Sequence, residues 1–291
     1  MGLGKQLVGH SSYGGSLMNK SSLQASRSEG HSSVAGVGAG SVGWQAPEVM
    51  AMRHHSSDAS VKSEGSNADP ISDLSPIDIS PNARTSRSVD IFSLGCIFYS
   101  TLVPGCHPFG EWYEREANIM HNRPNLDQLK TAMPDAYDLV KRMLSRTPSS
   151  RPTSQQVGEH PYFWSSDKRL AFLCDFSDRL ENDFSNYAEV GNAKASARLF
   201  LIERDAAEVI GASWDKCLDD SLVNNVQKWR SYDSSAIRDL LRLIRNKYHH
   251  FDELPDELKA RVASKAGLMK YFEERFPRYV CYAAFQSATF F

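Results

Sequence analysis

The stretch Trp229–Phe251, WRSYDSSAIRDLLRLIRNKYHHF, is the one around which the chain can be read. From Ala236 to His249 the apolar residues Ile237, Leu240, Leu241, Ile244 and Tyr248 recur at helical spacing, which predicts an amphipathic helix packed on a core. Ser234 or Ser235 is placed to cap its start, and Asp239 suits the first turn. On the opposite side Arg238, Arg242, Arg245 and His249 line up, with Asn246 adjacent and Tyr232 just ahead of the helix. From spacing alone such a cationic stripe is more often a solvated helix face than a site.

The residue types nevertheless suit one chemistry. To cut RNA without a metal, the 2′-hydroxyl must lose a proton as it attacks phosphorus and the departing 5′-oxygen must gain one. Histidine serves either role near neutral pH, and arginine and asparagine donors hold the charge developing on the phosphoryl oxygens. Tyrosine beside the helix start is a second candidate for proton transfer or hydrogen bonding. No carboxylate cluster or His/Cys spacing for a nuclease metal is apparent, so the metal expectation is none.

Composition narrows the setting. With 291 residues and 41% hydrophobic content the chain supports one large or two modest domains, and its net charge of −2 means that any nucleic-acid contact comes from a local basic face. Five cysteines, at 96, 106, 174, 217 and 281, contain no C-x-x-C pair and suggest a reducing compartment without a disulfide framework. There is no signal-peptide pattern, Gln6 breaks the myristoylation pattern, and the apolar run Ile91–Val103 is shorter than the ~20 residues that span a bilayer. A soluble, cytosolic chain without a membrane segment is the expectation.

In chain order, residues 1–43 are Gly/Ser-rich and predicted flexible, and a second polar tract, His54–Ser88, is predicted to be a loop or insertion. The first tract carries many serines that are candidates for phosphorylation. Around and after these tracts come Trp44-Gln45-Ala46-Pro47-Glu48, then Ser88-Val89-Asp90-Ile91-Phe92-Ser93-Leu94-Gly95 running into an apolar helix expected to be buried all round. His107-Pro108-Phe109-Gly110, Arg142-Met143-Leu144, Arg151-Pro152 and His160-Pro161-Tyr162-Phe163-Trp164 follow.

In this order these landmarks resemble the second half of a protein kinase domain. The resemblance implies that Glu48 pairs with Arg151, and that Asp90 caps the buried helix and braces the catalytic loop. The chain holds no G-x-G-x-x-G loop, V-A-I-K lysine, H-R-D or D-F-G, and Met1-Gly2 falls where the last two residues of a D-F-G-like triplet would stand. An N-terminally truncated kinase lobe serving as a scaffold is therefore expected. ATP and Mg belong to the family, but their binding elements are missing from this chain.

Beyond Ser165 amphipathic helices are predicted over Lys168–Leu180, Ala195–Val209, Leu222–Trp229 and Leu268–Phe276. The run R-D-L-L-R-L-I-R-N-K-Y-H-H-F-D-E-L-P, placed after a kinase lobe, resembles the KEN endoribonuclease domain. That domain is shared by the inositol-requiring enzyme family of endoplasmic reticulum stress sensors and ribonuclease L. The implied fold is mainly α, the helical C-lobe of a protein kinase fold fused to an all-α KEN endoribonuclease domain. The segments are 1–50 (activation segment), 51–88 (polar disordered insertion), 89–164 (kinase C-lobe) and 165–291 (KEN domain).

The resemblance places catalytic roles on Tyr232, Arg245, Asn246 and His250, and implies scission of RNA stem-loops to a 2′,3′-cyclic phosphate and a 5′-hydroxyl with no cofactor. Arg238, Arg242 and His249 are RNA-contact candidates. On an ideal helix His249 rather than His250 shares the face of Arg245, so the family's assignment requires the helix to loosen or end at the histidines. The implied partners are RNA stem-loops and a second copy or a full-length relative, with no DNA. The full-length family sits in the endoplasmic reticulum membrane with this region cytosolic and acts in the unfolded protein response. A catalytically silent module that pairs with full-length relatives is the alternative. A serine/threonine kinase is disfavoured by the missing motifs.

Other residues read as structural. His107 and His160 belong to turns, Trp164, Trp214 and Trp229 to the core or a domain boundary, and Cys174 and Cys217 to apolar filler positions. The ending Tyr279–Phe291, YVCYAAFQSATFF, departs from the family's usual apolar helix and is expected to weaken the last helix.

Overall fold

The apolar run after Ser88 becomes the helix on which the first half is assembled. A computed structural model describes residues 42–58, 87–190, 193–227 and 231–290, and every regular element among them is helical. Helix α1 spans Pro47–Asp58 and α2 Arg87–Leu102, followed by α3 (Arg115–Met120), α4 (Asp127–Ala132), α5 (Pro134–Met143) and α6 (Ser154–Gly158). α5 turns Ala136, Leu139, Val140 and Met143 inward and packs on α2. Gly95 permits that approach, because a Cβ there would stand 2.9 Å from Met143 Cβ and 3.0 Å from Leu144 Cδ2. α6 opens with a capping box in which Thr153 Oγ1 accepts from Gln156 N and the Gln156 side chain accepts from Thr153 N.

Glu48 and Arg151 meet across this lobe, 103 residues apart in sequence, through hydrogen bonds of 2.7 and 2.8 Å between fully buried side chains. Arg151 also donates to the carbonyls of Ser88 (2.9 Å) and Ser145 (2.7 Å) and lies over the Phe92 ring. A buried pair is tolerable only when its remaining protons are satisfied in this way.

Three expectations for this half change. α2 is not buried all round: Ile91, Phe92, Gly95, Cys96 and Tyr99 face the core, whereas Leu94 is 41% exposed, because the described elements pack on one side of the helix. Asp90 is an exposed residue inside the first turn, not the cap, since the helix already begins at Arg87. The polar tract is helical up to Asp58, as an extension of α1. The predicted flexibility of residues 1–41, and the rest of the insertion, 59–86, lie outside the described residues.

The second half is organised on α7, Ser166–Val190, which runs ten residues past its predicted end. It packs against α8 (Ala193–Arg204), α11 (Ile237–His249), α13 (Lys265–Arg275) and α14 (Tyr279–Phe290). α9 (Ala206–Ile210), α10 (Asp220–Gln227) and α12 (Asp256–Val262) complete it. Leu173, Phe176, Ile202, Trp214, Leu222, Leu240, Leu258, Phe272 and Tyr279 form its core. Ala195–Val209 divides into α8 and α9, and Leu222–Trp229 is helical as far as Gln227, with Trp229 outside the described residues.

The C-terminal ending forms a helix packed into the second half. α14 buries Tyr279, Val280, Cys281, Ala283 and Gln286, and Tyr282 Oη donates to the carbonyls of Leu201 and Ile202 at 3.0 Å. Cys217 is exposed, in a 3₁₀ turn, and is no core filler, whereas Cys174 is buried. All five cysteines are free.

Arg169 joins the halves. Its guanidinium donates to Asp135 (2.6 Å) and the Pro161 carbonyl (2.8 Å) of the first half and to Glu273 (2.7 Å) of the second. Cys281 Sγ donates to the other oxygen of Asp135. No helix among the described residues is long and apolar enough to cross a membrane.

Candidate active site

α11 carries the site, and its start is held from outside. Neither Ser234 nor Ser235 caps it. The N-cap is Ala236, and the Glu203 carboxylate of α8 accepts from the backbone N–H groups of Ile237 (2.7 Å) and Arg238 (2.9 Å). A carboxylate here satisfies two orphan donors and meets the positive end of the helix. Burial pushes the Glu203 carboxyl above its usual range, with the two N–H groups pulling the other way. Ser235 instead bonds back to Asp233, and Ser234 Oγ lies 2.8 Å from Ser213 Oγ.

The inward face buries Ile237, Leu240, Leu241, Leu243 and Ile244, and also Asp239. Asp239 accepts from Asp233 N at 2.6 Å, fixing the backbone beside Tyr232. Tyr232 Oη accepts from Asn246 Nδ2 at 2.9 Å, and Asn246 Oδ1 lies 3.5 Å from Arg245 Nη2. Arg245 is ion-paired with Asp178 of α7. Tyr232, Asn246 and Arg245 thus form one contiguous cluster.

His250 follows at the end of the helix. Its N–H donates to Asn246 O (2.9 Å), but at φ −105° and ψ 43° it has left the α conformation, and a 3₁₀ turn over Phe251–Glu253 takes over. The helix therefore ends at the histidines. The His250 ring is 60% exposed, with Nδ1 2.9 Å from Glu253 Oε1, an arrangement that leaves Nε2 for a substrate. His249 is exposed and its ring meets Tyr248 edge-on.

The predicted stripe is not an open row of cations. Arg238 and Arg242 side chains are each only 16% exposed, because Glu181 of α7 and the buried Asp239 face them. Arg238 lies 3.8 Å over the Phe184 ring. Arg242 lies 4.8 Å over the Tyr232 ring and donates to the Ser231 carbonyl. As placed, both brace the site instead of standing free for RNA.

Lys247 went unremarked in the sequence although it directly follows Asn246. Its Nζ donates to Asn225 Oδ1 at 2.6 Å, and burial lowers its pKa. Glu203 and Asp178 were also missed, since both come from elements distant in sequence.

His107 and His160 are structural. His107 Nδ1 accepts from Phe109 N, and its ring meets Trp44 edge-on at 4.5 Å. Asp138, His160 and Cys281 converge within 4.8 Å of one another. His160 Nδ1, however, accepts from Tyr162 N at 3.1 Å, which makes Nε2 the protonated nitrogen donating to Asp138. That tautomer leaves no imidazole lone pair for a metal.

Comparison with known proteins agrees with this division. The ribonuclease 2-5A family matches residues 169–289, and the protein kinase domain family matches residues 75–163. Serine/threonine-protein kinase/endoribonuclease IRE1b of Arabidopsis thaliana is 36% identical over 244 residues, 84% of this chain and 23% of that protein. Over more than four fifths of its length the chain is thus similar to a kinase/endoribonuclease of the inositol-requiring family. The sensor for unfolded proteins in the ER, ire1, of Schizosaccharomyces pombe is 37% identical over 82% of this chain and 21% of its own length. Serine/threonine-protein kinase/endoribonuclease IRE2 of Homo sapiens is 35% identical, with shares of 82% and 22%. The chain thus spans less than a quarter of these relatives' length. In the family's terms, its first half is the helical C-lobe of a kinase fold and its second the all-α KEN domain.

Proposed function

We propose that the chain is an endoribonuclease that cuts RNA stem-loops to a 2′,3′-cyclic phosphate and a 5′-hydroxyl, and acts in the response to unfolded proteins. The observation that carries this reading is the cluster of Tyr232, Asn246 and Arg245, with His250 released from the helix one turn further on. In the reaction the 2′-oxygen bonds to phosphorus as the phosphorus–5′-oxygen bond breaks. The 2′-hydroxyl proton passes to a base and another proton reaches the 5′-oxygen. His250 and Tyr232 are the proton-transfer pair, and Arg245 and Asn246 hold the nonbridging oxygens. To reach the phosphate, Arg245 turns from Asp178.

No step calls on a metal, so cleavage is expected to persist in excess chelator. The test is end-labelled stem-loop RNA incubated with the chain and with its His250→Ala variant, with product termini identified. Cyclic-phosphate products from the parent and at least ~100-fold slower cleavage by the variant support the reading. Equal cleavage by the two refutes the site.

A further inference from the structure

We propose that the cavity beside Tyr232 is a nucleobase pocket that seats one unstacked base next to the scissile phosphate, with Asp215 favouring bases that carry an exocyclic amino group. This inference rests on the endoribonuclease reading. The cavity measures about 320 Å³, and its walls include Trp214, Tyr232, Val223, Val226, Asp215 and Ser234. That volume lies at the small end of ligand sites, ~300–1,000 Å³, and suits one ring system.

The walls match the two sides of a base. Val223 and Val226 of α10 supply aliphatic surface, and Trp214 and Tyr232 stand edge to face with centroids 6.3 Å apart. RNA is read through unstacked bases that pack against such surfaces and are hydrogen-bonded on their edges. The Trp214 indole N–H is already engaged with the carbonyls of Asp233 and Ala236, so that ring offers the cavity only apolar surface.

The polar wall is acceptor-rich. Asp215 Oδ1 accepts from Ser213 Oγ and from Lys216 N (3.0 Å), which fixes the carboxylate and leaves Oδ2 to accept. A carboxylate rewards a base edge that presents amino hydrogens and penalises one that presents carbonyl oxygen. The placement follows from Tyr232, which lines the cavity and accepts from Asn246 in the cleavage cluster. A base in the cavity is therefore attached to a ribose within reach of that cluster.

The test titrates the chain with the 3′-monophosphates of guanosine, adenosine, cytidine and uridine, and with ribose 3-phosphate, by calorimetry. Amino-bearing nucleotides are expected to bind at least about tenfold tighter than ribose 3-phosphate, with uridine behind them. Val223→Phe, at a half-buried position, should erase the advantage of a base while leaving ribose phosphate binding, and Asp215→Asn should flatten the order among bases. Equal binding of ribose 3-phosphate, no binding of any nucleotide at millimolar concentration, or a base advantage surviving Val223→Phe overturns the pocket. An unchanged order in Asp215→Asn overturns the role of Asp215. Base-dependent binding without stem-loop cleavage would leave the pocket standing and sink the endoribonuclease reading; cleavage without base-dependent binding would do the reverse.

Discussion

His250 is the residue at which sequence pattern and three-dimensional placement part company. Helical periodicity puts His249 on the face of Arg245. Only the end of α11, an event at His250 itself, sends the second histidine elsewhere. The residue types of the candidate site were legible because Tyr232, Arg245 and Asn246, which cluster, and His250, which follows at the helix end, fall in one short segment. The neutralisation of Arg238 and Arg242 was not, because Glu181 lies far away in sequence and reaches them only through the packing of α7 on α11. A second histidine gives a test of stability. Burial, and then the nearby Arg115, push the His107 pKa down to about 4 from an ordinary 6.5. With the folded pKa depressed, the unfolded chain takes up the proton first. The neutral ring's stabilisation is therefore complete above pH ~6.5 and lost as pH falls through about 4, at a cost on the order of 3 kcal/mol. Urea unfolding from pH 7 to 4 should show this decline, and His107→Asn, which keeps an acceptor for Phe109 N, should flatten it. An equal slope in the variant would show that other groups govern the acid limb.

At the scale of the element, the start of α11 shows how a local rule yields to tertiary structure. Two serines precede the helix, and serine is a common cap, yet the donors at its start are taken by Glu203 from α8. A carboxylate accepting two N–H groups at the positive end of a helix outdoes a single hydroxyl, and Asp233 occupies Ser235 instead. Glu203→Ala is accordingly expected to cost about 1–3 kcal/mol in chemical denaturation and to slow RNA cleavage, because Tyr232 and Asn246 are registered from that end. Ser235→Ala should stay within ~0.5 kcal/mol. A larger loss for the serine variant would restore it as the cap. α14 teaches a similar lesson. Tyr279, Val280, Ala283 and Gln286 do recur at helical spacing, but the aromatic residues between them obscured the pattern. The groups that receive the helix, the Leu201 and Ile202 carbonyls and Asp135, belong to other elements.

For the whole molecule, the order of motifs made the two halves legible, while the joint between them was not, since Asp135, Arg169 and Glu273 belong to no motif. Removing Arg169 would leave two partly buried carboxylates facing each other, and breaking such pairs costs about 3–5 kcal/mol. Arg169→Ala should therefore separate the melting of the halves in calorimetry, and a single unshifted transition would show that apolar packing alone couples them. The charge distribution also bears on how the chain meets RNA. Net charge is −2, and with Arg238 and Arg242 matched by Glu181 and Asp239, few open cations stand around the cluster among the described residues. Affinity for a polyanion depends on the number of phosphates neutralised, so one copy is expected to bind a stem-loop weakly, and two copies side by side would double the cationic groups along it. We propose that cleavage follows self-association. The rate per chain should then rise with protein concentration and fall steeply with salt. A rate per chain independent of concentration would sink the paired surface.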